Sequence, residues 1–174
     1  MTKTGKLTVL AVLTAAALCT FVLEAQLPPL VPIPGVKPGL SNVFTLFACY
    51  ALGAPAAFAL LLVRIVLGSL ITGQVSAMGY SLCGGLLSYL VLLFLHRKFP
   101  RKQLWALSIL CAAAHNLGQI LLAVWIMGSP VILWYLPVLI LSALVTGAFT
   151  GLICQLILRR LQKSNLLQKE EPTP

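Results

Sequence analysis

Leu104–Met127 reads LWALSILCAAAHNLGQILLAVWIM, an apolar run interrupted only by Ser108, His115, Asn116, Gly118 and Gln119. As a helix it is about 36 Å long, against a hydrocarbon core about 30 Å thick. The apolar residues come in continuous runs rather than in alternation, which excludes a β-barrel. The rest of the chain has the same character: 60% of it is hydrophobic and 9% is charged. Soluble domains carry roughly 25% charged residues, too many to be missing from a water-facing surface. The bilayer is therefore the solvent for most of this surface. The expected fold is an all-α integral membrane protein of about six transmembrane helices.

Charge placement sets the topology. The formal net charge is +9, and no aspartate occurs. The acidic residues are Glu24, Glu170 and Glu171. Lys3 and Lys6 precede the first apolar run, Arg97, Lys98, Arg101 and Lys102 fill one short loop, and Arg159, Arg160 and Lys163 follow the last run. Basic residues collect in cytoplasmic loops. With six spans all three clusters fall on one side, which predicts both termini inside. No basic stripe with interleaved aromatics occurs, so nucleic acid is not an expected partner.

The spans expected from these runs are Leu7–Leu23, Leu40–Leu52, Ala56–Thr72, Met78–Leu95, Leu104–Met127 and Ile132–Leu158, the last with a kink near Pro137. Residues 1–6 form a cytoplasmic N-terminus, 7–158 the membrane domain, and 159–174 a cytoplasmic, disordered tail. The first run resembles a signal peptide in its basic start and length. However, Leu23-Glu24-Ala25 is a poor cleavage sequence, so a retained helix is expected. Between the first two runs lies an outer loop, 24–38, with Pro28, Pro29, Pro32, Pro34 and Pro38. Proline fixes φ and lacks a donor, so the loop is stiff and extended. Leu40–Leu52 would rise only about 20 Å, so it must tilt, begin below the surface, or extend into the next turn. Small residues spaced four apart at Ala11 and Ala15, Gly84 and Ser88, and Gly147 and Gly151 predict close helix approach. The five cysteines sit inside apolar runs without metal-ligand spacing and read as packing residues.

Placed in this topology, Glu24, Lys37, Asn42, Arg64, His115, Asn116 and Gln119 gather in the outer half of the bundle. Ionisable groups are costly in lipid and usually face a cavity or a partner. The asymmetry predicts a substrate site open to the outside, mildly cationic and suited to an anionic solute. His115 and Gln119 share a helical face, and Asn116 lies one step round it. The competing reading is an internal network, with Arg64 satisfied by Glu24 or by carbonyls and Asn116 bonded to a neighbouring helix.

Several stretches together resemble a known family. They are Glu24, Pro34–Asn42 (PGVKPGLSN), Val63–Gly68 (VRIVLG), Ser81–Ser88 (SLCGGLLS), Ala114–Gln119 (AHNLGQ) and Tyr135–Leu139 (YLPVL). They look like the Gx transporter family, also labelled heptaprenyl diphosphate synthase component I. The family's usual GxKLGLAN becomes GVKPGLSN here, with Pro38 and Ser41 in place of Leu and Ala. That family is similar to the substrate-binding S-components of energy-coupling-factor (ECF) transporters. The resemblance implies an S-component-like six-helix bundle that holds a small solute under the outer loop. It also implies docking to a transmembrane coupling protein, driven by ATPases, through the AxxxA element formed here by Ala11 and Ala15. The expected location is a bacterial cytoplasmic membrane, with the chain crossing several times.

The synthase label meets a chemical objection. Prenyl chain elongation holds diphosphate through Mg²⁺ on aspartate-rich motifs, and hard cations want carboxylate oxygens. A chain with no aspartate and one membrane-domain glutamate cannot build that site. Nor does it hold a Ser-His-Asp set, an HExxH or a P-loop. No catalysis, cofactor or metal is expected. The alternative function is a non-catalytic membrane subunit associated with prenyl diphosphate or quinone biosynthesis.

Overall fold

The computed structural model describes residues 2–27, 37 and 39–163, apart from the side chains of residues 76, 162 and 163. The expected loop prolines and residues 164–174 of the expected tail lie outside the described residues. The described chain forms six α-helices: α1 Lys3–Gln26, α2 Asn42–Leu52, α3 Ala54–Ile71, α4 Val75–Leu95, α5 Leu104–Met127 and α6 Leu136–Lys163. Two short 3₁₀ helices, Arg101–Gln103 and Pro130–Tyr135, precede α5 and α6. No strand occurs among the described residues.

Five helices are long and apolar enough to cross a membrane, and the sixth, Asn42–Leu52, is not. Their outward faces remain apolar, with Leu70, Phe94, Leu121, Val145 and Phe149 exposed. Such a surface belongs in lipid. Trp105 and Trp125 stand at opposite ends of α5, about 30 Å apart at 1.5 Å per residue, and Trp125 and Trp134 are more than three-quarters exposed. Interfacial tryptophans at that spacing match the hydrocarbon thickness. The chain is a multi-pass membrane protein.

Helix limits depart from the expected spans in instructive places. α1 starts at Lys3 rather than Leu7, capped by the Thr2 hydroxyl, which accepts from the Gly5 N–H at 3.2 Å. α6 does not run from Ile132 with a kink at Pro137. It begins at Leu136, with Pro137 in its first turn, where a missing N–H costs nothing. It then continues past Leu158 to Lys163. Between α2 and α3 a single residue makes the turn: Gly53, at φ +99°, a conformation that side chains rarely adopt.

The short helix α2 is the centre of the architecture. It touches each of the other five helices. Thr45 to Cys49 are buried without a break, as expected of a helix surrounded by protein rather than lipid. At its C-terminal end the Tyr50 hydroxyl donates to the carbonyls of His96 and Phe99, at 2.9 and 3.0 Å. That end therefore lies at the level of the basic loop. Eleven residues rise only about 16 Å, so the N-terminal end, at Asn42, stops near mid-bundle. Of the alternatives the sequence leaves open for this segment, the structure selects a helix that begins below the surface. Non-helical backbone at that depth is tolerated where it is enclosed by protein or lines a cavity.

Around α2 sits the larger apolar cluster, including Ala17, Phe47, Leu60, Leu107, Cys111 and Leu158. Leu10, Leu95, Phe99 and Leu161 pack against it, which brings the three basic segments to one end of the bundle. A smaller cluster, Tyr80, Ile120, Ala123, Ile132 and Leu139, joins α4, α5 and α6 near the opposite end. Glycines allow the helices to close. A Cβ on Gly147 would fall 2.7 Å from the Ile109 Cα, and one on Gly151 would fall 2.6 Å from the Trp105 Cα. All five cysteines are free.

Candidate substrate site in a buried polar layer

On α5 the residues between Cys111 of the larger cluster and Ile120 of the smaller one include His115, Asn116 and Gln119. They mark a polar layer between two apolar ones. Glu24, Lys37, Ser41, Thr45, Arg64, His115, Asn116 and Gln119 are all buried, with Arg64 at 1% exposure and Asn116 and Gln119 at 0%. Asn42 is half-buried.

The layer is organised by Glu24, in the last turn of α1. Its Oε1 accepts from the backbone N–H groups of Gly39 and Leu40, the latter at 2.9 Å. Its Oε2 accepts from the Ser41 N–H at 3.5 Å and from the Ser41 hydroxyl at 3.3 Å. Gly39 sits at φ +79°, which turns successive N–H groups towards one point. The carboxylate also lies at the N-terminus of α2, where the helix dipole favours negative charge. One contact thus ties the first helix to the start of the buried one.

Arg64, near the middle of α3, completes the connection. Its Nη1 donates to the Ser41 Oγ and its Nη2 to the Asn42 Oδ1 at 2.8 Å. Glu24 and Arg64 are joined through Ser41 rather than in direct contact. Lys37 follows a different course. Its Nζ lies 4.1 Å from the centre of the Phe21 ring, a cation–π contact. Burial pushes this ammonium below its ordinary range, with the charge of Glu24 opposing the shift.

The α5 residues divide by face. The Asn116 amide donates to the Leu139 carbonyl at 2.7 Å, an interhelical bond to α6. His115 and Gln119 face α4 and the start of α2. A Cβ on Gly84 would lie 3.0 Å from His115 Nδ1 and 2.9 Å from Gln119 Cγ, and one on Gly39 would lie 3.3 Å from His115 Nε2. Glu24, Asn42 and Arg64 thus form one connected network, His115 lies against Gly39 within it, Gln119 is one turn further along α5, and Asn116 is turned to α6.

Many polar atoms in this layer have no hydrogen-bond partner among the described residues: Lys37 Nζ, Asn42 Nδ2, Thr45 Oγ1, Arg64 Nε, His115 Nδ1, Asn116 Oδ1 and both polar atoms of the Gln119 amide. Elsewhere among the described residues, only the Gln155 Oε1 shares that state. Leaving a buried polar group unpaired costs about 1–3 kcal/mol. A concentration of such atoms at one level calls for water or a ligand.

Three participants escape the sequence reading. Ser41 is visible there only as a departure from the GxKLGLAN pattern, yet it bridges Glu24 and Arg64. Thr45 lies one helical turn after Ser41, a spacing that places it on the same face. Phe21 gives no sequence signal as a partner for Lys37. Ala11 and Ala15 lie away from this layer, exposed along α1. Among the described residues, no group of three or more His, Cys, Asp or Glu is arranged to hold a metal ion.

A family model described as Heptaprenyl diphosphate synthase component I matches residues 13–157. The chain belongs to that family. The match takes in every residue of the polar layer, and Ala15 but not Ala11. The family's name denotes a component of a synthase. No match was found among curated proteins or solved structures.

Proposed function

We propose that this protein is a membrane-embedded substrate-capture subunit for uptake of a small solute, of the kind the S-component resemblance implies. The observation that supports this most is the buried layer of unpartnered polar atoms at mid-bundle. A purely structural network would have closed its hydrogen bonds, because each open one lowers stability. Glu24, Lys37, Asn42, Arg64, His115, Asn116 and Gln119 are the site: Glu24 fixes the start of α2, Arg64 braces it while keeping Nε free, and the others present free groups to the solute. The outer loop 24–38 lies over the solute in this reading, anchored where Glu24 binds Gly39. No step requires catalysis by this chain.

The family name supports a second reading, a non-catalytic membrane subunit that works with a prenyl diphosphate synthase. Co-purification separates the two. The capture reading predicts a transmembrane coupling protein and ATPases in gently solubilised membranes. Recovery of a soluble prenyl synthase instead would replace it.

The exposed Ala11 and Ala15 face of α1 is the proposed docking surface, since small residues let a partner helix approach closely. The double substitution Ala11→Leu with Ala15→Leu is expected to abolish association with the coupling protein. Neither residue is buried within the chain, so the thermal midpoint should stay within about 2 °C of wild type. Unchanged pull-down of the partner by the folded double mutant would remove this surface from the account.

The proposed orientation places both termini and His96–Gln103 in the cytoplasm, because all three basic segments share one end. A cysteine placed at Ser129 should react with an impermeant reagent added outside, and one placed at Arg101 should not. The opposite labelling pattern would invert the orientation.

A further inference from the structure

The charge balance of the polar layer points to the chemical class of its occupant. Two cationic side chains, Lys37 and Arg64, are buried there with one carboxylate, Glu24. A carboxylate offers about four acceptor positions. In Glu24 four donors fill them: the N–H groups of Gly39, Leu40 and Ser41, and the Ser41 hydroxyl. None is left for Lys37, whose Nζ lies over the Phe21 ring and has no hydrogen-bond partner among the described residues. Arg64 spends two nitrogens on Ser41 and Asn42 and keeps Nε free.

The free groups also have a definite polarity. Because Arg64 Nη2 donates to Asn42, the Asn42 oxygen is committed and its Nδ2 is left as a donor. Lys37 Nζ, Arg64 Nε and Asn42 Nδ2 are thus all donors without acceptors among the described residues. Towards α5 the character changes. Gln119 offers both a donor and an acceptor, Asn116 an acceptor, and His115 Nδ1 and Thr45 Oγ1 can play either part.

We propose that the solute is a small organic monoanion: one carboxylate-type group bound by Lys37, Arg64 and Asn42, joined to a neutral group with both donor and acceptor, such as an amide or hydroxyl, bound by Gln119 and His115. This assignment rests on the solute-capture reading and narrows it. A single negative charge brings the buried charges to balance. A neutral solute leaves one cation unpaired in the bundle. A diphosphate ester carries about two to three negative charges at neutral pH, more than the layer can match, and buried unpaired charge is strongly disfavoured. The same arithmetic argues against a prenyl diphosphate as the occupant.

The test uses the full-length protein purified gently from its native membrane. Small molecules released on denaturation are identified by mass spectrometry after carbodiimide–amine coupling, which tags each carboxylate once. Thermal midpoints are measured in parallel for wild type and Lys37→Met, both stripped of solute. The expected result is a retained organic molecule tagged once and free of phosphate, with occupancy at least tenfold lower in Lys37→Met. The midpoint of that variant should equal or exceed wild type, since methionine removes an unmatched buried cation. A retained molecule that takes no tag, or carries phosphate, overturns the monoanion assignment while solute capture stands. If wild type retains nothing and Lys37→Met lowers the midpoint, both fail, and Lys37 is a structural residue.

Discussion

Replacing Glu24 with alanine is expected to destabilise the purified protein by about 3–5 kcal/mol, the range for removing one partner from a buried charged network. Three consequences combine. The N–H groups of Gly39, Leu40 and Ser41 lose their acceptor at a depth where water is scarce. Arg64 and Lys37 are left in the bundle without a counter-charge. The start of α2 is released from the end of α1, although α2 is the helix every other one packs on. Glu24→Gln keeps an acceptor oxygen but offers an amide to a ring of donors, so it should fall between alanine and wild type. Thermal unfolding followed by circular dichroism in detergent measures both. An unchanged midpoint for Glu24→Ala would mean that the start of α2 is held by something else.

The second large effect concerns packing alone. Gly118 on α5 lies against α4, where an added Cβ would meet the Cys83 carbonyl oxygen at 2.8 Å and the Gly84 Cα at 2.9 Å. Both are backbone atoms and cannot move aside by changing rotamer. Gly118→Leu should therefore force α4 and α5 apart, break up the His115–Gln119 face at Gly84, and yield aggregated protein. Gly118→Ala should cost at least about 1–3 kcal/mol, the usual range for overpacking. Gly79→Ala is the matched comparison. Its Cβ would make only an ordinary 3.5 Å contact with Leu122, so the variant should fold like wild type, with a slightly better helix former in place. Monodispersity on size exclusion reads both. Equal behaviour of the Gly118 and Gly79 variants would contradict the close α4–α5 approach.

The parts of this fold legible in the sequence were those set by bulk hydrophobicity. The limits of α5 follow from the run Leu104–Met127 because an uninterrupted apolar stretch in lipid has no option but a closed helix. The shortness of Leu40–Leu52 showed that something unusual happened there. It could not show that this helix becomes the axis of the bundle, because that depends on five neighbours distant in sequence. The expected kink at Pro137 was misplaced for a local reason: a proline that would break a helix interior is accommodated in a first turn. For the polar layer, rarity was the signal. In so apolar a chain, the seven polar residues chosen at span ends and mid-span stand out, and His115 and Gln119 share a face as their spacing requires. The connections between them were not legible. Glu24 is satisfied mainly by backbone N–H groups, which leave no trace in a sequence, and it reaches Arg64 only through Ser41. Asn116 makes an interhelical bond through its Nδ2, while its Oδ1, His115 Nδ1 and the Gln119 amide have no hydrogen-bond partner among the described residues.

His115→Leu tests the central claim, capture of a solute by the buried polar layer, because among the described residues no other side chain relies on the His115 ring for a hydrogen bond. Solute retained by the purified protein and the thermal midpoint are measured on the same samples of wild type and variant. A lost hydrogen bond of about 1.4 kcal/mol or more corresponds to at least a tenfold loss of affinity. The account predicts that loss with a midpoint shifted by no more than about 2 °C. A midpoint that falls by about 8 °C or more while retention is intact would contradict it, and would make the layer a structural network rather than a binding site.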